Sequence, residues 1–172
     1  DPLDGTTNYA HGYPLCCVSI AYERAGEVLA GVVFAPFMNE LFVAERGSGA
    51  QRNGSTIRVS SIERMNEAMV CTGFHPADFA RNGAYFERAS NRAQAVRRDG
   101  SAALDLAYTA CGRFDGFWEF DLHAWDVAAG MLLVTEAGGL VTRIDGSASA
   151  LDARSILATN GRIHEEFRRV LG

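Results

Sequence analysis

The segment Val127-Ala128-Ala129-Gly130-Met131-Leu132-Leu133-Val134 has helical composition and no polar side chain on any face. A helix that is apolar all round must be covered on every side. It therefore has to lie inside a layered structure, not on a surface. Its surroundings follow from the rhythm of the rest of the chain. Leu15–Arg24 and Glu27–Ala35 read as strands joined at the turn pair Ala25-Gly26. Glu40–Glu45 alternates as a third strand. Gly47-Ser48-Gly49 and Asn53-Gly54 punctuate two more, Ala50–Arg52 and Thr56–Val59. The first 60 residues thus predict an antiparallel meander.

After that the pattern alternates. Strands are expected at Ala68–Thr72, Ala95–Arg97, Phe114–Phe120, Leu140–Ile144 and Ser155–Ala158. Helices are expected at Pro76–Arg92, from Ser101 to Gly112, from Asp126 to Gly138-Gly139, and at Arg162–Leu171. Strands followed by alternating strands and helices predict a layered α/β (α+β) fold. Residues 1–66 would form the antiparallel layer and residues 67–172 the α/β layer.

At 172 residues, with 48% hydrophobic and 22% charged residues, the chain can bury a core of its own. A net charge of −5 argues against a mainly electrostatic nucleic-acid binder and against a basic membrane-surface protein. No apolar run approaches the roughly 20 residues needed to cross a bilayer. Cys16, Cys17, Cys71 and Cys111 show no metal-binding spacing, and the adjacent pair points to opposite faces of a strand. They read as buried small hydrophobes in a reducing cytoplasm.

The chemistry concentrates in two places. Asp1-Pro2-Leu3-Asp4-Gly5-Thr6-Thr7-Asn8-Tyr9 sets two carboxylates around a proline that stiffens the chain and ends in a glycine that permits a sharp turn. Two carboxylates about 4 Å apart repel by about 4 kcal/mol at an effective dielectric near 20. A shared proton, an arginine or a cation must offset that. Hard oxygen ligands favour Mg²⁺. A calcium EF-hand is excluded, because its third, fifth and twelfth positions would be Leu3, Gly5 and Gly12. In the second place, His123-Ala124-Trp125-Asp126, Asp126 stands at the start of the apolar helix, either as a cap or as a rigidly held cation ligand. Glu119 could accept from a polyol hydroxyl or be a solvated strand end. Gly100-Ser101-Ala102 could offer backbone N–H groups and a hydroxyl to a polar ligand. Arg97-Arg98 could face an anionic substrate or a partner subunit.

Taken together, these segments resemble the inositol monophosphatase family of Mg²⁺-dependent phosphomonoesterases. Asp1 to Tyr9 matches its first signature, and Trp125-Asp126-Val127-Ala128-Ala129-Gly130 with Glu136-Ala137-Gly138-Gly139 matches its second. Arg97 to Tyr108 resembles its bacterial, SuhB-type branch. The resemblance implies an αβαβα sandwich. It implies that Asp1, the Leu3 carbonyl, Asp4 and Asp126 hold Mg²⁺, that Asp1, Asp4 and Asp126 cluster around a second ion, and that Thr6 orients the attacking water. Backbone amides of Gly5 and Thr6 would bind phosphate. Gly100, Ser101, Ala102 and Glu119 would meet the alcohol part of the substrate.

The implied activity is hydrolysis of inositol monophosphate. Histidinol-phosphate, fructose-1,6-bisphosphate and nucleotide 3′-phosphate hydrolysis are alternatives, as is a SuhB-like role with RNA polymerase and antitermination factors. Homodimers are common in the family and are expected here. Family members also carry, before the first signature, a Gly-Glu-Glu segment that supplies a further metal ligand, together with N-terminal helices and strands. The chain starts at Asp1, without methionine, directly on that signature. The expectation is an N-terminally truncated family fold whose 172 residues alone are inactive or nearly so. Asp121 stands where many relatives have glycine, and an extra acid there is expected to shift substrate preference.

Overall fold

The computed structural model describes residues 1–151 and 154–172. Strands β1 (Val18–Arg24), β2 (Glu27–Ala35), β3 (Glu40–Glu45), β4 (Gly49–Arg52) and β5 (Ser55–Thr56) pair in that order as an antiparallel meander, the first sheet. The meander expected from the turn signals is the one observed. Ala25, Asn39 and Asn53 take left-handed backbone conformations at its turns, and the Asn53 carboxamide oxygen accepts from the Leu41 N–H. The strand expected at Thr56–Val59 stops at Thr56. Ile57 still donates to Ala50, but the Val59 N–H turns away to the Ala137 carbonyl.

The second sheet has the order β7-β6-β8-β10-β9, from β6 (Met69–Thr72), β7 (Ala95–Arg97), β8 (Gly116–Phe120), β9 (Leu140–Thr142) and β10 (Ser155–Thr159). It is mixed. β6 runs parallel to β7 and β8, and β10 is antiparallel to β8 and β9.

Helices α3 (Ala102–Ala110) and α4 (Ala124–Glu136) lie between the two sheets. Every residue of α3 is buried. On α4, Val127, Leu132, Leu133 and Val134 are buried, each worth about 1.5–3 kcal/mol of apolar burial. The apolar segment is thus enclosed except at Met131, which is half-buried. The approach is close enough to need glycine at two points. A Cβ on Gly31 would lie 2.9 Å from Ala129 Cα, and one on Gly130 would lie 2.5 Å from Leu106 Cβ.

Alternate residues of the second sheet serve two cores. Cys71, Phe117, Ile156 and Ala158 face α3 and α4. Val70, Trp118 and Leu157 join Phe167 and Leu171 beneath α2 (Phe79–Ser90) and α5 (His164–Leu171). The order is helix pair, sheet, helix pair, sheet, which is the layered α/β architecture anticipated above. The other face of the first sheet leaves Ile20, Tyr22, Phe34, Leu41 and Val43 in solvent. All four cysteines are free thiols, Cys16 and Cys17 included. No helix of the described residues is long and apolar enough to cross a membrane.

Candidate metal centre

The stretch from Asp1 to Asp4 runs antiparallel to residues 17–19 and so prolongs the edge of the first sheet. Asp4 and Cys17 exchange backbone hydrogen bonds of 2.9 and 3.0 Å, and Ser19 N–H donates to the Asp1 carbonyl at 2.9 Å. Gly5 follows at φ 83°, buried so tightly that a Cβ would lie 2.8 Å from the Leu15 carbonyl. Only glycine fits there. The turn delivers the chain into a short helix, α1 (Thr6–Ala10), which the apolar pattern of the sequence does not predict. No residue of α1 is buried, so no apolar periodicity announces it. Asn8 on α1 donates to the carbonyls of Leu15 (2.6 Å) and Asp99 (2.7 Å), tying this segment to the loop before α3.

Asp4 then acts at the start of α3. Its Oδ2 accepts from Ser101 Oγ and from Ala103 N–H, each at 2.8 Å. Ser101 occupies the N-cap position as anticipated but does not cap with its own side chain. A carboxylate from the other end of the chain does so instead.

Asp126 differs from expectation in position. It is the third residue of α4, not its first, and its Oδ2 accepts the His123 N–H at 2.8 Å in a capping box. His123 stacks on the exposed Trp125, with ring centroids 4.5 Å apart. Trp125 therefore belongs to the surface around the centre and not to the core.

These devices bring Asp1, Asp4 and Asp126 together. Ligand atoms from the three carboxylates all lie within 4.8 Å of one another. Each carboxylate is held through one oxygen, Asp1 by the Leu3 N–H at 2.8 Å. Burial raises the Asp4 pKa, and the nearby Asp126 charge raises it further. The hydrogen bonds from Ser101 and Ala103 offset part of that. Asp126 Oδ2 also lies 3.6 Å from His123 Nδ1. Three acids with no Lys or Arg paired to them among the described residues, offering only oxygen, suit a hard divalent cation. Cys17 lies behind Asp4, with Sγ 3.9 Å from Oδ2. Burial and the Asp4 charge push its thiol up to about 12, so it stays protonated there.

Beside the trio opens a cavity of about 550 Å³. Asp4, Asp126, Gly100, Ser101, Ala102 and Glu119 all line it, as do Asn8, Gly73 and Arg98. Of the two arginines, Arg98 reaches the cavity, while Arg97 points away and donates to the Val96 carbonyl. Glu119 is not a solvated strand end. It is 9% exposed, and burial together with the charges of Asp4 and Asp126 pushes its pKa to about 8, against a partial offset from Arg98. Gly73 makes room for it, since a Cβ there would lie 2.5 Å from Glu119 Oε2. Nothing in the local sequence marks Gly73, because the close approach spans two parallel strands.

Thr6 is exposed at the first position of α1, with Gly5 buried beneath. Leu3 is half-buried between the two acids. Asp121 adopts φ 54° and pairs with Arg81 at 2.7 Å, outside the residues lining the cavity. The left-handed backbone is a physical reason for glycine at this position in other chains.

Comparison with known proteins agrees with this geometry. The sequence pattern of the inositol monophosphatase family matches residues 1–171. An inositol-1-monophosphatase of Rhizobium meliloti is 46% identical over 99% of this chain and 65% of its own length. A protein of Xylella fastidiosa named Nus factor SuhB is 50% identical over 86% of this chain and 54% of its own. The chain therefore spans less than two thirds of each of these relatives. The solved structure of an inositol monophosphatase from Anabaena superposes with a TM-score of 0.96 at 47% identity, covering 99% of this chain and 69% of that one. The chain belongs to the inositol monophosphatase family.

Proposed function

We propose that the chain carries the metal centre and substrate cavity of an Mg²⁺-dependent phosphomonoesterase acting on inositol monophosphate. The observation that carries the reading is the convergence of Asp1, Asp4 and Asp126, with Asp4 and Asp126 also lining the cavity that holds Ser101 and Glu119. Asp1, Asp4 and Asp126, with the Leu3 carbonyl, would hold Mg²⁺. When bound, the cation supplies charge stabilisation for an in-line displacement at phosphorus and makes water a better nucleophile.

The remaining work falls to the protein. Gly5 and Thr6 present backbone amides at the start of α1, where first-turn N–H groups lack helical partners. They bind phosphate oxygens, and the Thr6 hydroxyl orients the attacking water. Gly100, Ser101 and Ala102 contact the polyol, and Glu119 accepts from one of its hydroxyls. Arg98, on the same cavity, attracts the phosphorylated substrate. The 46% identity to a protein named inositol-1-monophosphatase supports the substrate. The four free thiols support a cytoplasmic setting, and the family resemblance supports a homodimer.

The test is phosphate release from inositol 1-phosphate with and without Mg²⁺. From the chain joined to the N-terminal segment that family members carry, the proposal expects release that depends on the cation and is abolished by Asp126→Asn, with little or no release from the 172 residues alone. Release indifferent to the cation, or histidinol phosphate preferred by more than about tenfold in kcat/KM, overturns it.

A second reading rests on the relative named Nus factor SuhB. In it, a surface of the chain joins RNA polymerase and antitermination factors and does not use the metal centre. Asp126→Asn separates the two readings, since the second expects cellular function to survive loss of hydrolysis.

A further inference from the structure

Helices α2 and α5 cover the face of the second sheet opposite α3 and α4. Between them lies a groove of about 500 Å³ lined by Arg88, Asn91, Arg92, Glu166, Arg169 and Val170. Six arginines elsewhere, at 52, 64, 81, 113, 162 and 168, pair with carboxylates. Arg88, Arg92 and Arg169 have no carboxylate partner among the described residues. The one acid in the lining, Glu166, is occupied in part, accepting the Met65 N–H at 3.1 Å. The groove is therefore positive in a chain of net charge −5.

Two of the three guanidinium groups are positioned before any ligand arrives. Arg88 lies over the Tyr85 ring, 4.6 Å from its centroid, and Tyr85 is wedged edge-on against Phe120 at 4.8 Å. Arg169 donates from Nε to the Glu165 carbonyl at 3.1 Å. Their terminal nitrogens remain for a bidentate acceptor, and the ordering cost of binding is reduced. Favourable charge at a helix C-terminus accounts for a basic residue at the end of α2 or α5. It does not account for the convergence of three on one groove. The volume is far larger than one phosphate and falls within the range of small-molecule sites.

We propose that this groove binds a small anion carrying two or more consecutive phosphate groups, on the far side of the second sheet from the carboxylate centre. Inorganic tripolyphosphate is the probe, titrated calorimetrically into the 172-residue protein in cation-free buffer. One saturable site is expected, weakening as salt is raised. Combined Arg88→Gln, Arg92→Gln and Arg169→Gln lowers affinity by about tenfold or more. Glu166→Gln raises it, and Asp4→Asn leaves it unchanged.

Far-UV circular dichroism checks folding. If the triple variant fails to fold, Arg92→Gln alone still weakens binding, because that side chain has no ion-pair partner among the described residues to lose. The proposal is overturned by no saturable binding at millimolar probe, by equal affinity in the arginine variants, or by an affinity that Asp4→Asn changes in either direction. Binding of single-stranded RNA with tripolyphosphate silent overturns it as well.

Discussion

Ser101 donates a hydrogen bond of 2.8 Å to Asp4, joining residues 97 positions apart. The same Asp4 oxygen takes the Ala103 N–H. One carboxylate thus closes the start of α3 and contributes to the acidic trio. Ser101→Ala removes the charge-assisted bond and leaves Asp4 less firmly oriented. Outer ligand supports of this kind are worth roughly 10–100-fold in metal affinity. Divalent-cation affinity is expected to fall within that range while the fold persists, as read by competition titration with Mn²⁺. Unchanged affinity would show that Ser101 serves the substrate side of the cavity only.

Glu119 makes the metal-free protein sensitive to pH. Its pKa is about 8 in the fold against an ordinary 4.5, chiefly through burial. Below about pH 4.5 folded and unfolded chains both keep this proton. Between there and about pH 8 the unfolded chain releases it first, so stability falls as pH rises. Urea unfolding midpoints of cation-free protein are expected to decline across that window. Glu119→Gln is expected to flatten the decline.

Gly130 sits where α4 meets Leu106 of α3. Gly130→Ala places a methyl group on the Leu106 side chain, and overpacking of this kind costs about 1–3 kcal/mol. Thermal unfolding should detect the loss, although alanine is the better helix former. A neutral or raised Tm would mean that α3 and α4 can separate without cost.

Asp105 is wholly buried in α3, and its Oδ2 has no hydrogen-bond partner. Burial and the nearby acids Asp99, Glu119 and Asp4 raise its pKa well above the ordinary value. Asp105→Asn keeps the shape and removes the ionisation. The variant is expected to be at least as stable at neutral pH, with the gain disappearing in acid, where the unfolded chain keeps this proton as well.

The sequence made legible what depends on neighbours along the chain. Ala25-Gly26 and Asn53-Gly54 mark hairpins because their backbone must enter left-handed space, and α4 is visible because its stretch from Val127 to Val134 has no polar face. Asp1, Asp4 and Asp126 were found through their signatures, and the structure gathers them. What stayed hidden depends on partners far away in sequence. Nothing near Asp4 says that it will cap α3, nothing near Gly73 says that Glu119 will lie against it, and the exposed α1 carries no apolar stripe. Asp126 lies two residues further into α4 than the sequence pattern suggests, because Ala124 and Trp125 already belong to the helix and His123 is its cap.

The central claim is that Asp1, Asp4 and Asp126 act together as one divalent-cation site. Equilibrium binding of Mn²⁺, followed by electron paramagnetic resonance and competed with Mg²⁺, tests it most directly. The account predicts competable binding by the wild-type chain that weakens by about tenfold or more in both Asp4→Asn and Asp126→Asn. Equal binding by the wild type and both variants would contradict it.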